Sequence, residues 1–345
     1  MKVDLSSLLS SYKLVPLETH PDGLVGSIQK IIKHHGHYFL YTDRNRLLEF
    51  DSSGRFIRRI SRQGGGPGEY SHMKDFDVNE HFIAILENRK IHYFDLEGEY
   101  LRTVHLAQGT SHIKLLPNGD ALIKTDRDYG IRLIDQNGKL KKNFLEMNKA
   151  LTIGQEFGFY QADSLAFYFS GIASNIIWQY DLSSGKGENI PVIELPEGIS
   201  PEEEENLLTE QGFDYVFTNT GDTKIRHISA AGQYLISYVY KTDPDAIIYF
   251  CHLPTKTAKG YPVKNITDDV LFQHAPLSLS FSMYGQSENA FISFVYPYEI
   301  EGGLEEYKSL KDLQNYQRLQ EMLDTLGDVD DANPVLFEFI PKQQP

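Results

Sequence analysis

The chain has 345 residues, of which 41% are hydrophobic, and its formal net charge at pH 7 is −15. Proteins that bind nucleic acids or anionic membranes need a cationic surface, so this charge disfavours both kinds of partner. The hydrophobic fraction suffices for a folded core, and the 21 tyrosines and 20 phenylalanines favour β-strands over helices.

The N-terminal segment MKVDLSSLLSSYKL has no apolar core and carries Asp4, so it does not resemble a signal peptide. No run of 18 apolar residues follows anywhere in the chain, and we expect no transmembrane segment. The protein is therefore expected to be either cytosolic or a mature form whose export signal has been removed. Residues 12–19, YKLVPLET, form a predicted strand that has no partner in the first group of strands that follows it.

Three segments that come next in the chain can be aligned without gaps. They are residues 46–60, 90–104 and 130–144. Each consists of a strand, an Asp-x-x-Gly turn and a second strand. The Asp accepts hydrogen bonds from the following backbone and the Gly adopts a positive φ, so the pair reverses the chain. The turn glycines Gly54, Gly98 and Gly138 are 44 and 40 residues apart, a period that suits a four-stranded propeller blade.

Three further copies of this pattern are less regular. They are residues 176–186, 247–256 and 335–342. In all six copies the first strand is apolar on both faces, as expected for sheets stacked between neighbours, and a second hairpin precedes each copy. The last unit ends with only three strands, so we predict that residues 12–19 supply its outer strand and close the ring. The sequence thus predicts one all-β domain, residues 1–345, folded as a six-bladed β-propeller.

Two insertions interrupt the repeat, and we predict a helix in each. In the first, about residues 196–213, Ser200, Pro201 and the glutamates that follow are typical of a helix start, which favours a capped helix over a cation site. In the second, residues 304–326, apolar residues recur three and four apart and predict an amphipathic helix packed on the propeller. A helix that binds a partner protein is the alternative for the second insertion.

Residues 62–104 resemble an NHL-type repeat, because Gly-Pro-Gly-Glu-Tyr at 66–70 is followed by a short strand and a Phe-Asp-x-x-Gly turn. With the segments 3–19 and 332–342, the whole chain resembles the gut-bacterial six-bladed β-propeller family, whose largely uncharacterised members are often exported lipoproteins. The resemblance implies a periplasmic or cell-surface location, although this chain lacks the lipoprotein signal and the lipidated cysteine. It brings no established catalytic residues.

Local motifs give weak indications of chemistry. The GGGPGE loop at 64–69 has neither the following helix nor the lysine of a phosphate-binding loop, so we interpret it as a crossover between blades. His34, His35 and His37 cluster at the first hairpin turn. Imidazoles bind transition metals, but no Cys or carboxylate lies at a fixed spacing, which favours a solvated turn. The single cysteine, Cys251, is interpreted as a small buried hydrophobic residue.

The innermost strands of a propeller line a central channel and run in one direction, so their starts share one mouth. Polar residues near these starts are the candidate ligand site. They are Asp75, His112, Glu156, Arg226 and His227. This mixture suits a small anionic or zwitterionic ligand or a divalent metal such as calcium. Ordinary solvated channel residues are the alternative.

These observations favour a non-catalytic binding or scaffold propeller outside the cytoplasm, with a protein or a glycan as its partner. We expect it to be a monomer and predict no cofactor. The alternative is a metal-dependent hydrolase or lactonase with an ion at the mouth of the central channel. RNA binding, known for some NHL propellers, needs a basic face and is disfavoured by the charge.

Overall fold

A computed structural model shows an all-β propeller, built from antiparallel sheets that follow one another along the chain. The structure describes residues 2–125, 130–145, 159–161, 165–170, 175–181, 189–195, 198–212, 215–216, 218, 224–240, 246–272, 285–286, 289–310 and 313–343. No helix within these ranges is long and apolar enough to cross a membrane.

The chain begins with a short segment that precedes the first sheet. It comprises β1 (Val3–Asp4), α1 (Leu5–Leu8) and β2 (Leu9–Pro16). After a 3-10 turn at Pro21–Gly23, four antiparallel strands form the first unit. They are β3 (Ile28–His34), β4 (His37–Thr42), β5 (Arg46–Phe50) and β6 (Phe56–Ile60).

Each of the next four units is a separate four-stranded sheet. The second unit has β7 (Asp75–Val78), β8 (Ile83–Leu86), β9 (Lys90–Phe94) and β10 (Tyr100–His105). The third has β11 (Thr110–Leu115), β12 (Ala121–Thr125), β13 (Ile131–Ile134) and β14 (Leu140–Leu145). The fourth has β15 (Phe159–Gln161), β16 (Leu165–Ser170), β17 (Ile176–Asp181) and β18 (Asn189–Glu194). The fifth has β19 (Lys224–Ala231), β20 (Tyr234–Tyr240), β21 (Ile247–His252) and β22 (Thr257–Pro262). A two-residue strand, β23 (Ile266–Thr267), pairs in parallel with β1.

The last unit is not a separate sheet. Its strands β24 (Gly285–Gln286), β25 (Phe291–Val295) and β26 (Val335–Pro341) join the first unit in an eight-stranded sheet with the order β2-β26-β25-β24-β3-β4-β5-β6. The join is a parallel pairing of Gly285 with Ile31 and of Gln286 with Ile32. The prediction of six separate blades is therefore wrong for the described residues, which form five large sheets, because the inner strands of the first and last units hydrogen-bond to each other.

Closure by the N-terminal strand is confirmed, although the strand covers Leu9–Pro16 rather than residues 12–19. β2 pairs antiparallel with β26, with Val15 opposite Leu336. The residues just after β2 also hold the first unit: the Gly54 carbonyl accepts a hydrogen bond from the backbone N–H of Glu18 at 2.8 Å. A Cβ atom on Gly54 would lie 2.0 Å from the Pro16 carbonyl oxygen, so only glycine permits this contact. The segment thus links the last unit to the first.

The Asp-x-x-Gly turns form as predicted. In the first, Asp51 Oδ1 accepts hydrogen bonds from the backbone N–H groups of Ser53 at 2.8 Å and Arg55 at 3.0 Å, and Gly54 has a φ of +88°. Hydrogen bonds, first that of the Ser53 hydroxyl, lower the pKa of Asp51 to about 2. These carboxylates are turn-forming groups rather than metal ligands.

The core lies between neighbouring units. On β5, Leu47 packs with Phe76 and Ile85 of the second unit, whereas Phe50 packs on the opposite face with Leu336 of the last unit. Both faces of the strand are therefore buried, as the sequence pattern predicted.

The first insertion contains the predicted capped helix, α2 (Pro201–Gln211), where the Ser200 hydroxyl accepts a hydrogen bond from the backbone N–H of Glu203 at 3.1 Å. The second insertion differs from prediction. It contains two helices, α3 (Pro297–Glu306) and α4 (Gln314–Leu326), with a 3-10 turn at Lys308–Leu310 between them. Sequence periodicity missed this break because a 3-10 turn also repeats about every three residues. Tyr316, Leu319 and Leu323 pack into the core of the last unit as expected, but Leu313 is exposed.

Candidate functional site

The first strand of each unit faces its counterparts around the ring. Contacts run from β24 to β3 and then through β7, β11 and β15 to β19. Inner strands β3 and β24 pair with each other, but the other inner strands pair within their sheets on one edge only, so the backbone groups of the other edge need different partners.

Two aspartates of β7 supply such partners. Asp75 Oδ2 accepts a hydrogen bond from the backbone N–H of Ile113 at 2.9 Å, and Asp77 Oδ2 accepts one from that of Leu115 at 2.6 Å. Both carboxylates are buried. They therefore fasten the second unit to the inner edge of β11.

Each of these aspartates also forms an ion pair with a lysine. Lys30 Nζ lies 2.7 Å from Asp75 Oδ1, and Lys114 Nζ lies 3.2 Å from Asp77 Oδ1. Lys30 comes from the first unit and also donates to the Phe76 carbonyl at 2.8 Å. Both oxygens of Asp75, a predicted ligand residue, are thus used to hold three units together. The Asp-x-Asp spacing, which places both carboxylates on one face of β7, is the sequence signal that would have identified this role.

The other predicted channel residues are placed only in part. His112 is half-buried on β11, next to the N–H group that binds Asp75, and its Nδ1 lies 3.1 Å from Ser111 Oγ. The backbones of Arg226 and His227 lie on inner strand β19, whose pairing is irregular between Arg226 and Ile228. Glu156 and the side chains of Arg226 and His227 lie outside the described part of the structure. Their convergence on one mouth stays a prediction.

A cluster of imidazoles and a carboxylate lies at the opposite rim, where the inner strands end. His34 ends β3, His35 follows in the hairpin turn, and Glu80 follows β7. His35 Nε2 lies 2.6 Å from Glu80 Oε2, and His34 Nε2 lies 4.0 Å from Glu80 Oε1. The two imidazole rings meet edge to face, with centroids 4.2 Å apart. We call these three residues the rim cluster.

The rim cluster differs from the histidine group found in the sequence. His37 is not a member, because its Nδ1 lies 2.6 Å from Glu49 Oε1 instead. The carboxylate that the linear pattern lacked comes from the next unit, 45 residues beyond His35. Burial, followed by the neighbouring His35, lowers the pKa of His34. A hydrogen bond with His35 is the main cause that lowers the pKa of Glu80.

A groove of about 380 Å³ lies at the outer edge of the first unit. Its lining residues are Pro21, Asp22, Arg46, Phe56, Arg58 and Arg59. Arg58 is engaged, because its Nε lies 2.6 Å from Glu49 Oε2. Arg46 and Arg59 form no ion pair with a carboxylate within the described ranges, and the buried Nε of Arg59 has no hydrogen-bond acceptor there. We call this feature the arginine groove. It concentrates positive charge on a protein that is acidic as a whole.

The GGGPGE loop folds around its own carboxylate. Glu69 Oε2 accepts a hydrogen bond from the backbone N–H of Gly66 at 2.8 Å, and Glu69 Oε1 accepts one from Arg62 Nε at 2.8 Å. A Cβ on Gly64 would lie 2.0 Å from Glu69 Oε2, so a larger residue there would displace this carboxylate from its present position. These contacts support the interpretation as a crossover between units.

A buried hydrogen-bonded chain follows the loop. Glu87 accepts hydrogen bonds from the backbone N–H of Ser71 at 2.8 Å and from its hydroxyl at 2.6 Å. His92 Nε2 lies 2.9 Å from Glu87 Oε2, and His92 Nδ1 lies 2.8 Å from Thr103 Oγ1. Burial opposes the charged form of Glu87, but the hydrogen bonds from Ser71 and His92 outweigh it and lower the pKa to about 2. The network ties the crossover loop to β9 and β10.

Cys251 is buried, as predicted, and burial raises the pKa of its thiol. The thiolate, which is the reactive form, is therefore disfavoured at neutral pH.

Comparison with solved structures supports the propeller fold. A candidate exported protein of Bacteroides fragilis is similar, with a TM-score of 0.75 and 19% sequence identity over 99% of this chain and 98% of that protein. A member of the DUF4221 family from Bacteroides vulgatus is similar with a TM-score of 0.50 and 10% identity over 97% of each chain. At these identities the similarities show the fold alone. No curated protein matches the chain in sequence. A family model described as a domain of unknown function, DUF4934, matches residues 1–339, and the chain belongs to that family.

Proposed function

We propose that this chain is a non-catalytic binding propeller that acts outside the cytoplasm, and that the arginine groove holds a carboxylate group of its protein or glycan partner. The exported location is supported by the similarity to the candidate exported protein, which extends over 99% of the chain. The observation that carries the binding role is the state of Arg59: its guanidinium group hydrogen-bonds to Tyr70 and not to a carboxylate, and its buried Nε has no acceptor within the described residues.

A buried donor without an acceptor costs free energy, so a ligand that supplies the acceptor gains affinity. Arginines on an edge strand such as β6 also discourage contact between sheets, but that role needs only an exposed charge. The planar guanidinium groups of Arg46 and Arg59 suit a carboxylate, which accepts two hydrogen bonds at once. Asp22, the carboxylate among the lining residues, is exposed and lies 4.0 Å from His20 Nδ1, and no lysine or arginine of the described residues forms an ion pair with it.

We also propose that the ring works as six blades, with the eight-stranded sheet acting as two. The strand order of each half is that of the separate sheets, and among the described residues two residue pairs join the halves. Four-stranded blades around a channel are the usual construction of a propeller. The NHL-type character of the repeat stays part of this proposal.

A binding experiment tests the groove and separates the two kinds of partner. Poly-glutamate and polygalacturonate, which carry carboxylates on a peptide and on a glycan, are titrated into the full chain at low salt. We expect binding of at least one polymer, weakened about tenfold or more by the double substitution Arg46→Gln and Arg59→Gln. Arg55→Gln is the matched control, because Arg55 is exposed and paired with Asp51 outside the groove. Equal binding by the double variant, or binding of neither polymer, would show that the groove is not the site.

A further inference from the structure

We propose that the rim cluster, His34, His35 and Glu80, is a binding site for a divalent transition metal ion such as Zn²⁺. The inference does not depend on the arginine groove, which lies at the outer edge of the first unit. One ligand atom from each of the three residues lies within 4.8 Å of the others. They come from two different units, so the fold rather than a local motif brings them together.

The distances are close to those that a metal requires. Zinc binds imidazole nitrogen and carboxylate oxygen at about 2.0–2.2 Å, so two ligand atoms in a tetrahedral site lie about 3.4 Å apart. The distances from Glu80 to His35 and His34, 2.6 and 4.0 Å, lie on either side of that value. Glu80 and His35 are exposed, so their side chains have room to rotate toward equal distances.

His34 supplies a second, independent observation. Its Nε2 is buried and has no hydrogen-bond partner among the described residues. This nitrogen is directed toward Glu80, 4.0 Å away, which is too far for a hydrogen bond. A metal ion bound between the two groups would supply the partner that this nitrogen lacks among the described residues.

The nearby charges suit a cation. Asp77 and Lys114, which face His34 from β7 and β11, are paired with each other and largely cancel. His81 also lies near Glu80 and is a minor cause of its lowered pKa, after the hydrogen bond from His35. Around neutral imidazoles, the Glu80 carboxylate therefore leaves the site with a net negative charge.

The ligand types decide which metal is expected. Two imidazoles and one carboxylate favour zinc and its neighbours in the transition series, whereas Ca²⁺ takes oxygen ligands almost exclusively. Three protein ligands leave a fourth position for water or for a group of a bound partner. A metal here would also bridge the first and second units at the rim.

Titration of the full, tag-free chain with metal tests the proposal. After treatment with a chelator, the protein is titrated with ZnCl₂ by calorimetry and with CoCl₂ by visible absorption. We expect one ion per chain, a cobalt spectrum typical of nitrogen and oxygen ligands, and a higher melting temperature with zinc. His35→Ala and Glu80→Gln should each weaken binding by about tenfold or more, as loss of a ligand does.

His72→Ala is the matched control, because His72 is exposed and lies outside the rim cluster. It should bind zinc like the unmodified chain. Glu80→Gln changes an exposed side chain with little change in size, so it decides the question if His35→Ala fails to fold. Undiminished 1:1 binding in Glu80→Gln, absence of stoichiometric binding in the unmodified chain, or displacement of zinc by an equal concentration of CaCl₂ would each overturn the assignment.

Discussion

At Glu87, two opposing effects act on one carboxyl group. Burial favours the neutral acid, whereas hydrogen bonds from Ser71 and His92 favour the anion, and the pKa falls from 4.5 to about 2. Because the pKa in the folded state lies below that in the unfolded state, Glu87 contributes stability that is fully present above about pH 4.5. This contribution is lost as the pH falls from 4.5 through about 2.

The prediction at this scale concerns Glu87→Gln. The amide cannot carry the charge that these hydrogen bonds stabilise, so we expect a lower free energy of unfolding at pH 7 and a flatter fall of stability between pH 4.5 and 2. Urea denaturation at pH 7 and at several acid pH values measures both effects. Glu99→Gln, at an exposed turn position nearby, is the control. A pH profile for Glu87→Gln that parallels that of the unmodified chain would contradict the role given to the hydrogen bonds.

At the scale of elements, the second insertion contains two leucines that a single amphipathic helix would bury equally. In the observed pair of helices, one of them is buried and the other is exposed. Leu319 on α4 is 1% exposed and packs against the core of the last unit, whereas Leu313, just before the helix, is 47% exposed. Burial of a leucine side chain is worth several kcal/mol in a core and almost nothing at an exposed site. The two positions therefore form an internal pair for testing where the insertion docks.

We expect Leu319→Ala to lower the free energy of unfolding by about 2–5 kcal/mol, and Leu313→Ala to change it by less than about 0.5 kcal/mol. Chemical denaturation of both variants under the same conditions measures the difference. Similar costs at both positions would mean that the 3-10 turn does not break the stripe. Negligible changes in the free energy of unfolding at both positions would favour the alternative, in which this helix is exposed and binds a partner protein.

Local signals identified many of the elements correctly. Asp51 and Gly54 specify their turn through their own hydrogen bonds and backbone preference, and Ser200 with Pro201 specifies the start of α2. The start of α3 was missed, although Pro297 and the Glu299 carboxylate, which accepts a hydrogen bond from the backbone N–H of Tyr296 at 3.0 Å, are ordinary start signals. The amphipathic pattern of residues 304–326 instead places the predicted start of the helix at residue 304.

At the scale of the whole molecule, the repeat predicts a propeller because each unit carries its own turns and its own two-sided apolar strands. The contacts between units were beyond the reach of that pattern. Asp75 is 45 residues from Lys30, and Asp77 is 37 residues from Lys114. Glu80 is 45 residues from His35. Such pairs depend on the curvature of the ring, which decides which ends of neighbouring inner strands meet. The same curvature places β24 beside β3 and merges two predicted blades into one sheet.

Closure of the ring gives the last prediction. β2 covers the outer edge of β26, Val15 of β2 and Leu17 just after it are buried beside the first unit, and Glu18 holds the turn at Gly54. Deletion of residues 1–19 should therefore lower the melting temperature and expose an unpaired strand edge that causes association at higher protein concentration. Light scattering and thermal melts at several concentrations measure both effects.

A synthetic peptide of residues 1–19 provides the matched test of this deletion, because it can occupy the edge of β26 without being joined to the chain. We expect it to raise the melting temperature of the truncated protein in a concentration-dependent way, as any ligand specific to the folded state does. A peptide in which Val15 and Leu17 are replaced by Asp should fail, since both side chains are 1% exposed in the closed ring. A truncated protein that stays monomeric with an unchanged melting temperature would show that β2 does not hold the ring closed. Rescue by the Asp-substituted peptide would instead show that pairing with β26 alone, without the apolar contacts, supplies the stabilisation.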